Sequence, residues 1–337
     1  MNMMVTGGSG FIGSHFIEEL FRESYFHHSC EFFSPSKVIN VDIADDLSIF
    51  DNKKYEYQRC DISSDLNKLR TIIKDVDCIV HFAGKTHVDE SIINSSDYVL
   101  SNIIGTHNLL SLCLDEWNEG NYFFRNKQFI HFSTDEVFGS LDIDDPPFTI
   151  NSPYNPTNPY SATKCASDLL VSSFIKTYQF PAIIINTTNN YGSRQYHTKL
   201  IPKAIYNWIN GIDMPIHDHG QHIRNWFFVK DCVKCIVRII NSKNGVGKKY
   251  TIGGNVEHST IEMLRIIEKF YFQYDNNLPK PKYKYIEDRL MNDFRYSVSN
   301  IEYEDDYGKI NYSNFEETLC QTVYDLIEGI ITDEKNI

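Results

Sequence analysis

No stretch of this sequence reaches the roughly 18 apolar residues that a membrane-crossing helix needs. The first apolar segment, MMVTGG, starts at once and is too short for the core of a secretory leader. Positive charge is scarce as well. The 337 residues carry a net charge of −13, and no run of Lys and Arg is long enough to track a phosphate backbone. Nucleic acid and anionic membrane are therefore poor partners, although a local pocket for a small anion remains open. A second cysteine pair is missing too. Among 8 scattered cysteines only Cys232 and Cys235 form C-x-x-C, within DCVKCIVRII. That run has an amphipathic helical pattern, so the pair reads as helix packing, with redox or metal chemistry as the alternative. No metal site is expected. Internal repeats and low-complexity tracts are absent. These absences together describe a soluble, cytoplasmic protein.

What is present is apolar and aromatic material enough for a large core, 42% and 14% of the residues. Apolar runs alternate with helical patterns through the first two hundred positions. MMVTG, KVINVDI, KYEYQRCDI, CIVHFAG, FIHFSTD and AIIINTT read as strands. FIGSHFIEELFRES, SSDLNKLRTIIKD, SNIIGTHNLLSLCLDEW and SATKCASDLLVSSFIKTY read as the helices between them. Such alternation, with near-continuous apolar strands, implies a Rossmann-type α/β fold: a doubly wound parallel sheet covered on both faces. After about Tyr191 the pattern loosens into helices such as LIPKAIYNWING and STIEMLRIIEKFYFQY separated by loops. That implies a smaller, mainly helical C-terminal region that binds substrate. Expected boundaries are 1–186 and about 225–257 for the sheet domain, and about 187–224 and 258–330 for the smaller one.

TGGSGFIG lies between the first strand and the first helix. Gly7, Gly10 and Gly13 allow a tight turn, close approach of backbone to a pyrophosphate, and close helix–strand packing; the helix N-terminus then faces the phosphates. An acid ending the second strand suits an adenosine ribose, and VINVD supplies Asp42. It repels a 2′-phosphate, which favours NAD over NADP; a solvated loop acid is the alternative. Asp61 and Ile62 follow the third strand, where they could border the adenine. Ala83, Gly84 and Thr86 follow the fourth, near the cofactor's phosphate and ribose.

The fifth strand ends in Thr134, Asp135 and Glu136. Adjacent carboxylates repel, so a fold does not place such a pair without compensation. Further on, YSATK puts Tyr160 and Lys164 on one helix face. A tyrosine with pKa near ~10 is a poor base at neutral pH, but a lysine ammonium one turn away and a cationic nicotinamide ring would stabilise its phenolate.

With these motifs together, the sequence resembles the nucleotide-sugar 4,6-dehydratases of the extended short-chain dehydrogenase/reductase family. The matching stretches are TGGSGFIGS, HFAGKTHVDESI, FSTDEVFG, NPYSATK, NNYG, KLIP and IRNW, from Thr6 to about Tyr296. The resemblance implies NAD as cofactor, a dTDP- or UDP-glucose substrate, and an early step of deoxysugar synthesis. It also implies roles. Tyr160 deprotonates the glucose 4-hydroxyl while NAD takes hydride from C4. Glu136 then removes the C5 proton, protonated Asp135 donates to the departing 6-hydroxyl, and hydride returns to C6. Thr134 bonds the sugar 4-oxygen. Two carboxylates in these roles need different protonation states, which repulsion and partial burial can enforce.

By matched position, Phe11, Ile12, Asp42 to Asp45, Asp61, Ile62, Ala83 to His87, Ser101, Tyr160, Lys164 and Asn190 are implied to meet NAD. His87 reaches the substrate too. Asn189, the segment from Lys199 and Leu200 to Ala204, Pro215, Ile216, His217, Arg224, Thr260 and Arg289 are implied on the nucleotide side. Arg224 is the natural diphosphate clamp, since guanidinium forks pair with phosphate oxygens; a plain surface arginine is the alternative. The sequence departs from the family at Gly84-Lys85, Phe138, His197-Thr198, Thr260 and EDRLMND (287–293), which leaves base preference open. A 4-epimerase or a non-catalytic NAD-binding sensor are the other readings of the same fold. Helices 101–117 and 161–178 are apolar on more than one face, so a homodimer is expected.

Overall fold

The computed structural model describes residues 1–22, 34–119, 122–124, 126–242, 244–288 and 291–335. Its main element is a seven-stranded sheet: β1 (Asn2–Thr6), β2 (Lys37–Asp42), β3 (Tyr55–Arg59), β4 (Cys78–His81), β5 (Gln128–Thr134), β6 (Ala182–Thr187) and β7 (Lys249–Ile252). The order across the sheet is β3-β2-β1-β4-β5-β6-β7, and every pairing is parallel.

The strands pair because their apolar residues are two-sided. Met3, Val5, Val38, Val80, Ile130, Phe132 and Ile183 enter the core on one face, where Phe16, Ile17, Val233 and Ile236 meet them. Met4, Val41, Ile79, Phe129 and Ile184 enter the opposite core with Leu69, Ile73, Leu109 and Val171. This period-two split is what a strand buried on both faces requires. Helices Phe11–Leu20 and Val229–Ser242 cover the first face; Leu66–Lys74, Gly105–Trp117 and Pro159–Tyr178 cover the second.

A third core is built from helices Leu200–Ile209, Thr260–Tyr274 and Phe315–Lys335, around Trp208, Met263, Ile267 and Leu319. The region is helical as expected, but not only helical. Strand Ile223–Phe228 pairs with Asn189–Tyr191, Val256–Ser259 and Arg295–Tyr296, and Met214–His217 pairs with Tyr283–Ile286.

Three local features differ from the sequence reading. β7 is a strand the pattern did not show, because KYTI is short and opens on a lysine. HVDESI forms a helix, Val88–Ile93, capped by the His87 side chain, which accepts from the Glu90 amide. The expected helix 101–117 is α-helical only from Gly105; before it, Val99–Ile104 is a π-helix. The seven described cysteines are all free thiols, Cys232 and Cys235 among them. Both are buried, and burial raises both thiols out of the reactive range. Among the described residues no helix is long and apolar enough to cross a membrane.

Candidate functional site

In an open parallel sheet, ligands bind beyond the carboxyl ends of the strands, where the strand order reverses. Here that point lies between β1 and β4. Gly7 follows β1 with φ +73°, and a Cβ on it would lie 2.7 Å from the Ala83 backbone nitrogen. A Cβ on Gly13 would lie 2.2 Å from the Gly7 carbonyl. The loop is thus pressed against both the helix that follows it and the turn after β4. Gly10 caps that helix through its backbone, and Phe11 and Ile12 form its first turn. Asp42, at the end of β2, accepts from the Ser9 amide at 3.0 Å, which brings the acid to the glycine loop. Asp61 lies past β3, where its carboxylate accepts from the Ser63 amide at 2.8 Å. Ile62 is buried against Gly105.

The turn after β4 is held by a residue that sequence reading missed. Asn102, in the π-helix next to Ser101, accepts from the Lys85 amide at 2.8 Å and donates to the Lys85 carbonyl and the Thr163 hydroxyl, both at 3.0 Å. It fixes Gly84 and Lys85 against the helix that carries Tyr160. Lys199 Nζ donates to the Thr86 carbonyl at 2.9 Å, joining the start of helix Leu200–Ile209 to the turn that ends in His87.

Thr134 ends β5 and caps a short 3₁₀ turn, Asp135–Phe138, by accepting from the Glu136 amide. Its hydroxyl donates to Asp135 Oδ1 at 3.2 Å. Asp135 is 2% exposed, and its Oδ2 is buried without a hydrogen-bond partner. Burial, reinforced by the neighbouring Glu136 charge, pushes Asp135 up to about 8. At neutral pH it is an acid holding its proton. The repulsion noted in the sequence is resolved in this way: the buried carboxyl is neutral, and Glu136 is the more exposed of the two.

Tyr160 sits in the first turn of helix Pro159–Tyr178, which opens with a capping box between Asn158 and Ser161. Its amide donates to the Ser91 hydroxyl at 3.1 Å, so the buried serine of HVDESI seats it. Burial, Glu136 and Asp135 push the phenol well above its usual value, while Thr134 pulls it down. Lys164 is buried and brought to about 8 by desolvation, with Asp168 acting in the opposite sense. Its Nζ donates to the Phe132 carbonyl at 2.8 Å. The lysine thus leans on β5, an anchor that helical spacing alone does not reveal.

On the other side, Arg224 lies over the ring of Tyr296, 4.4 Å from its centre, and donates to the Ile223 and Phe294 carbonyls and to Asn292. Asn189 and Asn190 each keep a buried side-chain oxygen without a hydrogen-bond partner. Pro215 and His217 are partly exposed, but Ile216 is fully buried, and its side chain belongs to the third core rather than to a binding surface. Leu200 is half-buried against that same core. Thr260 opens its helix with its amide on the His222 carbonyl at 2.9 Å. Arg289 lies outside the described residues. Beside these, His222, Asp218 and Asp288 bring ligand-type atoms within 4.8 Å of one another, with His222 Nε2 3.2 Å from Asp288. The scattered positions of these three in the sequence gave no sign of the cluster.

The glycine cradle, the acid at β2 and the open polar atoms fit a dinucleotide next to a sugar. Comparison with known proteins agrees. A family model described as GDP-mannose 4,6 dehydratase matches residues 4–295. A dTDP-glucose 4,6-dehydratase of Haemophilus influenzae is 38% identical over 339 residues, covering 96% of this chain and 97% of that protein. DesIV of Streptomyces venezuelae, a dTDP-glucose 4,6-dehydratase with NAD and TYD bound, superposes with TM-score 0.85 at 31% identity, covering 97% of each chain. The dTDP-glucose 4,6-dehydratase of Bacillus anthracis, in complex with NAD, does so with TM-score 0.80 at 30% identity, again covering 97% of each. Matches of this extent make the chain a member of the GDP-mannose 4,6 dehydratase family.

Proposed function

We propose that the protein is an NAD-dependent NDP-glucose 4,6-dehydratase, a hydro-lyase that converts dTDP- or UDP-glucose to the 4-keto-6-deoxy sugar and water. The observation that carries the reading is the Asp135–Glu136 pair: adjacent carboxyls, one buried and neutral at pH 7, beside a buried tyrosine. An epimerase eliminates nothing and has no need of the pair.

The residues divide the work. Tyr160 takes the proton of the 4-hydroxyl, with Thr134 bonding the same oxygen. The bound dinucleotide supplies a redox partner that is reduced and then reoxidised within one turnover, so none is consumed. Once C4 is a ketone, the C5 hydrogen is acidic, and Glu136 removes it. Asp135, still protonated, gives its proton to the 6-hydroxyl, which leaves as water. Such positioned acid–base groups contribute about 10²–10⁴-fold each. Burial and nearby carboxylates oppose phenolate formation at Tyr160, so the positive charge of Lys164 and of the nicotinamide ring must offset them.

The separation of the third core from the two that flank the sheet supports a two-part division, proposed at 1–186 plus about 225–257, and about 187–224 plus 258–330, with Tyr303 and Ile310 crossing back into the sheet's core and Trp226 into the third. A homodimer is part of the proposal. Leu169, on the Tyr160 helix, is 54% exposed, and Ile93, Val99 and Leu100, on helical segments packed against that helix, are 86%, 41% and 53% exposed. Free thiols throughout the described residues suit a reducing, cytoplasmic setting.

The test is incubation with dTDP-glucose and UDP-glucose while following product mass. Loss of one water supports the dehydratase. Unchanged mass with inverted C4 means an epimerase, and retention of NAD without turnover means a sensor. dTDP- and UDP-glucose differ by the base methyl and the ribose 2′-hydroxyl; an apolar pocket discriminates a methyl by only about 1–3 kcal/mol and an added hydroxyl by about 10²-fold, so both nucleotides should be turned over.

A further inference from the structure

We propose that Asp168 is a positioning residue for hydride transfer: a fully buried carboxylate that keeps the Lys164 ammonium, one helical turn away, charged. Tyr160, Lys164 and Asp168 follow one another at four-residue intervals on the helix Pro159–Tyr178, so they line one face. Asp168 and its partner His131 are both 0% exposed. A carboxylate so deep survives as an anion only when donors surround it. Three do. His131 Nε2 donates to Oδ1 at 3.1 Å, and Asn186 Nδ2 and the Tyr154 hydroxyl donate to Oδ2 at 2.9 and 3.2 Å. Against the cost of burial, the bonds from His131 and Asn186, with the charge of Lys164, hold Asp168 below the usual carboxylate range. The Asn186 amide also donates to the Thr134 carbonyl at 3.0 Å, so the network reaches the catalytic strand end.

The charge has an evident recipient. Lys164 is buried with its Nζ on a neutral carbonyl. The titratable groups around it are Tyr160 and Asp168 on its own helix, His131 on β5 and His81 on β4. Asp135 and Glu136 face Tyr160. Both histidines are lowered by burial and by the lysine itself, so they stay neutral and bring no countercharge. Asp168 is the group that opposes loss of the lysine proton. Lys249 closes the far end of the network, 3.0 Å from the Tyr154 hydroxyl and stacked on the Tyr154 and Phe138 rings.

The inference rests on the proposed activity, and the experiment separates the two. Formation of NADH in a single turnover with dTDP-glucose is followed from pH 6 to 9; this step precedes any role of Asp135. In Asp168→Asn the alkaline limb should move down by at least one pH unit from about 8, so that the rate at pH 8 falls about fivefold or more and recovers at pH 6. Asp168→Glu should keep the limb where the wild type has it. In a Lys164→Met background, which also relieves the lone buried charge should the single variant not fold, Asp168→Asn should cost nothing further. A uniform loss at every pH with the limb unmoved, or an additive loss in the double variant, overturns the proposal and leaves Asp168 a packing residue. Absence of both NADH and dehydrated product from the wild-type protein with either sugar nucleotide overturns the activity instead.

Discussion

The guanidinium of Arg224 lies over the ring of Tyr296, and three acceptors, the Ile223 and Phe294 carbonyls and Asn292, fix its edge. A planar cation stacked in this way has one orientation, and its remaining N–H groups are those that would meet the proposed diphosphate. Arg224→Lys keeps the charge and loses the fork. Hydrogen bonds to charged groups contribute about 1.5–3 kcal/mol, so KM for the sugar nucleotide should rise about 10- to 100-fold with kcat little changed. Steady-state kinetics decide it; an unchanged KM would remove Arg224 from the nucleotide site.

Glu136→Gln should separate oxidation from elimination. Tyr160, Lys164 and the dinucleotide site are untouched, but the amide cannot accept the C5 proton. Turnover should fall by about 10²–10⁴-fold, while reduced cofactor and the 4-keto sugar nucleotide accumulate on the enzyme. Stopped-flow absorbance and deuterium uptake at C5 read the two halves. If dehydration is not slowed and no NADH builds up, another group is the base.

Asp135 binds its proton more tightly in the folded protein, about 8 against a model-peptide 3.8. Between these values the folded state holds a proton that the unfolded state lacks, so stability falls as pH rises. Above about 8 both states are ionised and the penalty is constant. Asp135→Asn should therefore stabilise the protein while abolishing most dehydration. The gain in stability should grow from pH 5 to pH 8, at up to about 1.4 kcal/mol per pH unit, and then level off. Calorimetry at several pH values tests this, and a pH-independent difference would mean the carboxyl is ionised throughout.

Leu100 and Leu169 are large, exposed and on packed helical segments. Wild-type protein should sediment as a dimer at micromolar concentration, and Leu100→Asp with Leu169→Asp should sediment as a monomer that still binds NAD. A wild-type monomer at that concentration ends the proposal.

Much of the architecture could be read from the sequence because parallel strands advertise themselves as unbroken apolar runs. β5 and β6, FIHFST and AIIINT, are buried at every residue. β7 escaped because KYTI owes its burial to neighbours, not to length. The residues proposed for the chemistry were visible too, since Thr134, Asp135, Glu136, Tyr160 and Lys164 sit within short motifs at strand and helix ends. Their supports were not. Ser91 under Tyr160, Asn102 on the turn after β4, Asn186 beneath Thr134 and Tyr296 beneath Arg224 reach their partners across 52 to 72 positions or through an irregular helix. Polar residues inside apolar helices and strands look like ordinary interruptions until the fold brings their partners to them.

The π-helix at Val99–Ile104 makes this part of the chain tolerant of a change in length. A regular α-helix turns about 100° per residue, and a π turn accommodates one residue more than an α turn. Deleting an exposed residue there, such as Leu100, would let the helix regularise with its flanks keeping their orientation, because the wide turn already absorbs the extra residue. A deletion within Gly105–Trp117 meets no such slack and would turn the residues on its two sides by about 100° against each other. The first deletion should thus leave circular dichroism and NAD retention almost intact, whereas the second should lower the melting temperature and release NAD.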